Sequence, residues 1–314
     1  MILLTQYTLL FASVLLLVAL GGCFAERSGV INIGLEGIMV IGALGGALVM
    51  KFLPVEVGPF AMIMTTILAS ALSGMLYSLL LAVAAINFKA DQTITGTAMN
   101  MLATAGATVA VKAMNTIASG GNNVSSDISY ARARDMFIVR LGNFEFNWFM
   151  VVALLALIIS WVLLYKLKLG LRLRACGEHP QAADSVGINV FRMRYCGVLF
   201  SGLLGGIGGI VYITAGVSLW KFENGVAGFG FLALAVMIFG QWKPFKIALA
   251  ALLFGFFRAL GNVYTGFDFL KNLNLPSSIY NMLPYIISLV VLALTSKNSL
   301  APKAEGIPYD KGSR

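Results

Sequence analysis

The chain has 314 residues, of which 59% are hydrophobic and only 11% charged, against roughly 25% charged residues in an ordinary water-soluble domain. That balance excludes a soluble globular fold. The formal net charge is +9, but the basic residues sit in short gaps between long apolar runs. This distribution excludes a nucleic-acid surface and fits the asymmetry that orients membrane spans.

Several apolar runs reach the ~20 residues a helix needs to cross a hydrocarbon core. In chain order they lie at about Leu3 to Phe24, Ile31 to Met50, Phe60 to Ile86, Ile94 to Met114, Phe146 to Tyr165, Tyr195 to Val217, Gly228 to Phe239, Ile247 to Val263 and Ile279 to Leu294. The reading is an all-α, polytopic transmembrane bundle of about nine spans, between eight and ten, in one domain over 1–314. The seventh run is short, which predicts a broken or tilted helix near the membrane centre. Residues 1–25 carry no charge, so the positive start of a cleaved signal peptide is missing and the first run is expected to stay as a span.

Residues 115–145 form the longest polar connection, with Gly120-Gly121-Asn122-Asn123 turn chemistry. This extracytoplasmic segment divides a first half, 1–114, from a second half, 146–296, and a cytoplasmic tail follows at 297–314. The segment from Lys166 to Arg194 alone holds six of the 22 basic residues, which makes it cytoplasmic. Alternation then puts 14 basic residues inside and seven outside, with Arg258 left within a span.

Three polar clusters interrupt the apolar runs. In Gly29 to Gly37, Asn32 and Glu36 stand four residues apart, which predicts a shared helical face. An intramembrane carboxylate is costly and marks either a transport path or a capping role for neighbouring backbone. In Asp91 to Asn100, Thr93, Thr97 and Asn100 fall on one helical stripe, suited to lining a path or to hydrogen bonding between helices. Asp91 reads as a cap or interfacial residue. Lys221 to Gly230, with Asn224 and Phe229, contains glycines that suggest a helix interrupted in the membrane. The run Ser201 to Gly209 has small-xxx-small spacing and reads as a packing surface. It is not a phosphate loop, because no GK[ST] follows.

From Gly170 to Asn189, Pro180 opens and Gly187 closes a short helix between arginines. A helix of about two turns there suits docking on a soluble partner, and a plain charged loop is the alternative. The three cysteines show no CxxC pair and His179 is the only histidine, so no metal site or disulfide framework is expected.

The strings GVINIGLEGIMVIGA, LRACGEHPQAADSVGINV and GFGFLALAVMIFGQWKP, with the terminal GIPYDKGSR, resemble the branched-chain amino acid and ribose-type permeases of ATP-binding-cassette importers, and most of all their nucleoside branch. The resemblance implies a permease subunit translocating nucleosides, or alternatively ribose or another simple sugar. It implies a coupling helix within Arg174 to Ile188, with Glu178, Ala182 and Gly187 at the matching positions and Asp184 between them. It also implies a second, unlike permease subunit, a cytoplasmic ATPase that carries ATP and Mg, and an extracytoplasmic binding protein. Gln241 departs from the Gly or Lys common in similar sequences. No cofactor is expected on this chain, which lacks a Walker A motif. Asn32, Glu36, Thr93, Thr97, Asn100, Asn224 and Phe229 are the candidate substrate-path residues, offering hydrogen bonds and a stacking surface in a cell-membrane protein. Two other classes compete: an ion-coupled transporter binding its ion at Glu36 or Asp91, and an intramembrane enzyme, for which a lone His179 supplies no catalytic group.

Overall fold

Lipid offers no partner for backbone polar groups, so apolar runs of this length can cross only as helices that satisfy themselves. In the computed structural model they do so. It describes residues 2–142, 144–215, 218–267, 276–295 and 300–312; of the basic residues assigned to the two sides, Lys271 (outside) and Lys297 and Arg314 (inside) lie outside the described residues. The first half comprises α1 (Ile2–Arg27), α2 (Leu35–Phe52), α3 (Pro59–Ala82), extended by a π turn at Val83–Asn87, and α4 (Gln92–Ala118). The connection carries β1 (Asp127–Ser129), α5 (Ala131–Arg134), β2 (Ile138–Leu141) and β3 (Phe144–Asn147). The second half holds α6 (Trp148–Tyr165), α7 (Lys168–Glu178), α8 (Pro180–Ser185), α9 (Val190–Thr214), β4 (Leu219–Lys221), α10 (Phe229–Phe239), α11 (Pro244–Val263) and α12 (Ser277–Thr295).

Among the described residues seven helices are long and apolar enough to cross a membrane: α1, α2, α3 with its π turn, α4, α6, α9 and α11. The seventh expected span is α10, an apolar helix of 11 residues, and the ninth corresponds to α12, which has Pro284 inside it. α1 and α9 form the centre, because both are apolar around most of their circumference and both are buried along most of their length. The glycine run of α9 makes that possible. A methyl group at Gly42 of α2 would collide with Gly206, and one at Gly74 of α3 would come within 2.7 Å of the Gly206 Cα. Three backbones therefore meet at Gly206, as the small-residue spacing indicates.

The polar connection is more ordered than a loop, and the fold is not purely helical. β1 pairs antiparallel with β4, Ile128 facing Trp220, and β2 pairs with β3. The first ribbon ties the two halves together across about 90 residues of sequence, a pairing that turn chemistry cannot reveal. Asn115 secures it from α4. Its amide donates to the carbonyls of Ser125 (2.9 Å) and Asp127 (2.8 Å), and its Oδ1 accepts from Lys51 Nζ at 3.0 Å.

The opposite end gathers α7, α8, the α10–α11 turn and the tail. Arg27 donates to the Trp242 carbonyl through Nε (3.3 Å) and Nη2 (3.2 Å), and the Trp242 indole N–H donates to Glu26 Oε2 at 2.5 Å. The tail folds back as a strap. Ala304 N–H donates to the Gly177 carbonyl at 2.8 Å, Gly306 N–H to that of Gly29 at 3.3 Å, and Asp310 pairs with Lys89 at 3.3 Å. Tyr309 is buried in an apolar cluster with Cys176, Ala183 and Val190.

Candidate functional site: an interrupted helix pair and a docking face

Residues 28–34 are not helical, and α2 begins only at Leu35. The expectation that Asn32 and Glu36 share a helical face therefore fails, because the four-residue spacing counts a turn that is unwound. Asn32 is fully buried and donates from Nδ2 to Ser201 Oγ of α9 at 2.8 Å. Glu36, in the first turn of α2, points elsewhere. Its Oε1 accepts from the Gly228 N–H and its Oε2 from the Gly230 N–H, both at 2.7 Å.

These two N–H groups lie at the N-terminus of α10, a helix whose own N-cap, Gly228 (φ 80°), has no side chain to satisfy them. The Glu36 carboxylate supplies the missing acceptors and opposes the positive end of the helix dipole. Gly230 must be glycine, since a Cβ there would lie 2.6 Å from the Glu36 Cα. Of the two roles the sequence leaves open for Glu36, capping of neighbouring backbone is the one its contacts fill in this conformation.

Asn100 performs the matching service for α2. Its Oδ1 accepts from the Gly37 N–H at 2.7 Å, and its Nδ2 donates to the Ile33 carbonyl at 3.0 Å. About two turns earlier in α4, Gln92 Oε1 accepts from the Ile31 N–H at 2.6 Å. The start of α4 thus clamps the unwound segment. Thr93 and Thr97 do not join this clamp: both are exposed, and Thr97 Oγ1 donates within its own helix to the Thr93 carbonyl at 2.8 Å. Asp91 caps α4, accepting from the Ile94 N–H at 2.9 Å.

Phe229 is 0% exposed, its ring 4.4 Å from that of Tyr212 and 5.7 Å from that of Phe11, centroid to centroid. In this conformation it packs rather than offering a free stacking face. Asn224 is exposed in the turn after β4. The structure thus brings Glu36, Phe229 and Asn100 to one interrupted helix pair, puts Asn32 behind it against α9, and leaves Thr93, Thr97 and Asn224 outside it.

The second candidate surface is the segment 170–190. Two helices stand where one was expected: α7 of 11 residues and α8 of six. Pro180 is the first residue of α8. Gly187, at φ 82°, ends it: the Gly187 N–H returns to the Asp184 carbonyl and the Ile188 N–H to that of Ala183. Ala182 and Gly187 are exposed, while Asp184 and Ile188 are half-buried. Glu178 pairs with Arg27 at 3.7 Å. Arg174 turns back onto the Tyr165 ring, 4.6 Å from its centroid, and so contributes to seating α7 on α6.

With this geometry in place the comparison with known families is decisive. The model of the family described as branched-chain amino acid transport system / permease component matches residues 4–292. The chain belongs to this permease family. Its relatives include the guanosine ABC transporter permease protein NupQ of Bacillus subtilis, 42% identical over 98% of this chain and 96% of the relative. The nucleoside ABC transporter permease protein NupC of Lactococcus lactis is 38% identical over 96% and 95%. A more distant one, the guanosine ABC transporter permease protein NupP of Bacillus subtilis, is 24% identical over 76% of this chain and 68% of its own length. No solved structure matches the permease.

Sequence reasoning passed over three residues that organise this permease. Gln92 carries no distinguishing signal beyond its place at a helix start. Trp242 is buried at the α10–α11 turn with Gln241 and itself at φ 52° and 54°, a left-handed backbone that favours glycine. Arg258 is visible in the sequence as a charge inside a span, but its neighbours come from four other helices.

Proposed function

We propose that this chain is the membrane-spanning permease subunit of an ATP-binding-cassette importer and that its substrates are nucleosides. The observation that carries the reading is the 42% identity to a guanosine permease protein over 98% of the chain. The alternative of a simple sugar has no comparable support. A polytopic bundle interrupted at residues 28–34 and at the start of α10 supports it physically, since transport sites are built where helices break and irregular backbone is shielded.

In this reading the full bundle crosses the cell membrane about nine times, with α10 as a half-span. The end carrying α7, α8 and the tail faces the cytoplasm, and the exposed face of α8 with Ala182 and Gly187 docks into the ATPase subunit. That partner holds ATP and Mg. The second permease subunit is unlike this one: Bacillus subtilis has two guanosine permease proteins at 42% and 24% identity to this chain, as an unlike pair would require. An extracytoplasmic binding protein delivers the substrate to the β-ribbon end.

The test is ligand binding by the partner binding protein, followed by uptake in membranes holding the assembled importer. Nucleosides are expected to bind and to enter in an ATP-dependent manner. Binding of ribose or branched-chain amino acids with nucleosides ignored would overturn the reading, as would uptake that stops with an uncoupler and persists without the ATPase.

A further inference from the structure

A guanidinium within an apolar span is retained only where it does something, because its desolvation is costly. Arg258 lies 14 positions beyond Pro244 in α11, about 21 Å along the axis, and five before its last residue, Val263. Its guanidinium carbon sits 5.3 Å from the Phe229 ring centroid and 5.9 Å from that of Phe11. The two rings form a wall that holds the flat cation. The Tyr212 hydroxyl stands close enough to share a hydrogen bond with the guanidinium, and the Tyr285 hydroxyl is within reach of its charge.

No carboxylate neutralises it by an ion pair among the described residues. The carboxylate near the same tyrosines, Glu36, has committed both oxygens to the Gly228 and Gly230 N–H groups. Arg258 Nε is shielded from solvent without a hydrogen-bond partner. Yet the side chain is only half-buried, and beside it Tyr285 is half-buried and Ala227 exposed, the Tyr285 hydroxyl donating to the Ala227 carbonyl at 3.1 Å. A planar donor fork, steadied by aromatic rings and open on one side, therefore stands at the first turn of the interrupted helix α10.

We infer that Arg258 is a specificity-determining residue of transport, whose fork donates to the adjacent O6 and N7 acceptors of a 6-oxopurine nucleoside as it passes this turn. The assignment rests on the nucleoside reading and goes beyond it by naming the base and the residue. The chemistry discriminates. Guanosine and inosine present two neighbouring acceptors that match a guanidinium. Adenosine replaces one of them with an amino donor, which opposes the fork, and pyrimidine nucleosides lack N7 altogether.

The experiment uses the complete importer, both permease subunits with ATPase and binding protein, in proteoliposomes. Uptake of guanosine, inosine, adenosine and uridine is measured for the wild type, Arg258→Lys and Arg258→Gln. Each variant is expected to lower the guanosine-to-uridine and inosine-to-adenosine uptake ratios about tenfold, within the discrimination a bidentate arginine–base pair provides. Lysine keeps the charge but not the fork, so it should fail with glutamine. Because each ratio is taken within one preparation, partial loss of assembled complex cancels. Ratios unchanged in both variants, or a uniform fall in all four nucleosides, would overturn the assignment and leave the nucleoside reading standing. A wild-type importer that moves none of the four would instead overturn the nucleoside reading itself.

Discussion

Ala304 and Gly177 are joined backbone to backbone at 2.8 Å, so the C-terminal strap is hydrogen-bonded to the last turn of α7, immediately before α8. The strap also covers Cys176, which is buried with Tyr309 and whose thiol burial pushes up to about 11. Neutral Cys176 beneath a protein cover should resist alkylation. Replacing Tyr309 by Ala, or ending the chain before Pro302, should raise maleimide labelling of Cys176 about tenfold or more, read by peptide mass spectrometry. Labelling equal to wild type would mean that the strap does not shield α7.

The strap should also respond to pH. The Glu305 carboxyl lies against that of Glu26, and burial raises its pKa above the ordinary glutamate value despite the nearby Arg27. The protonated form is thus favoured by docking. A raised folded-state pKa means that the stabilisation is complete below the unfolded value and is lost as pH rises through the folded one. Protease cleavage of the strap should therefore increase with pH across that window, and Glu305→Gln should flatten the dependence. A strap released at low pH instead would reverse the sign and refute the assignment.

Glu36 is a sharper case than its spacing indicates. Read from sequence, glutamine appears a fair replacement, since an amide keeps an acceptor and adds a donor. The structure presents two N–H donors at 2.7 Å, one to each oxygen, so an amide satisfies one and sets its own N–H₂ against the other. Glu36→Gln is expected to cost about 2 kcal/mol, in the range for a charge-assisted hydrogen bond lost in a buried setting, and Glu36→Ala at least as much. Thermal stability of the solubilised complex measures this. A Gln variant as stable as wild type with uptake abolished would move Glu36 from bracing α10 to contacting substrate.

For the proposed docking face, Ala182 offers the cleaner test, being exposed and free of the Arg27 pair that complicates Glu178. Ala182→Trp should leave insertion and permease pairing intact while lowering uptake per ATP hydrolysed at least several-fold. Gly187→Leu should act similarly but with a stability loss of about 1 kcal/mol or more, because φ is 82° there. Normal coupling in both would remove α8 from the ATPase interface.

The sequence alone determined that this chain lives in a membrane as helices, because apolar run length against bilayer thickness is a local property. It likewise indicated the packing role of the α9 glycines from their small-residue spacing and the limits of α8 at Pro180 and Gly187, while for Asp91 it left a cap and an interfacial residue open, and the structure shows the cap. Tertiary structure decided the rest. Whether Asn32 and Glu36 share a face depends on residues 28–34 being unwound, and they are held so by Gln92 and Asn100 from α4 and Ser201 from α9. The partner of Glu36 lies 192 residues further along the chain, and Arg258 takes its surroundings from α1, α9, α10 and α12. Hydrophobic periodicity carries no information about such pairings: side-chain pattern decides which face turns inward, while the identity of what it meets is settled only when all helices are packed at once.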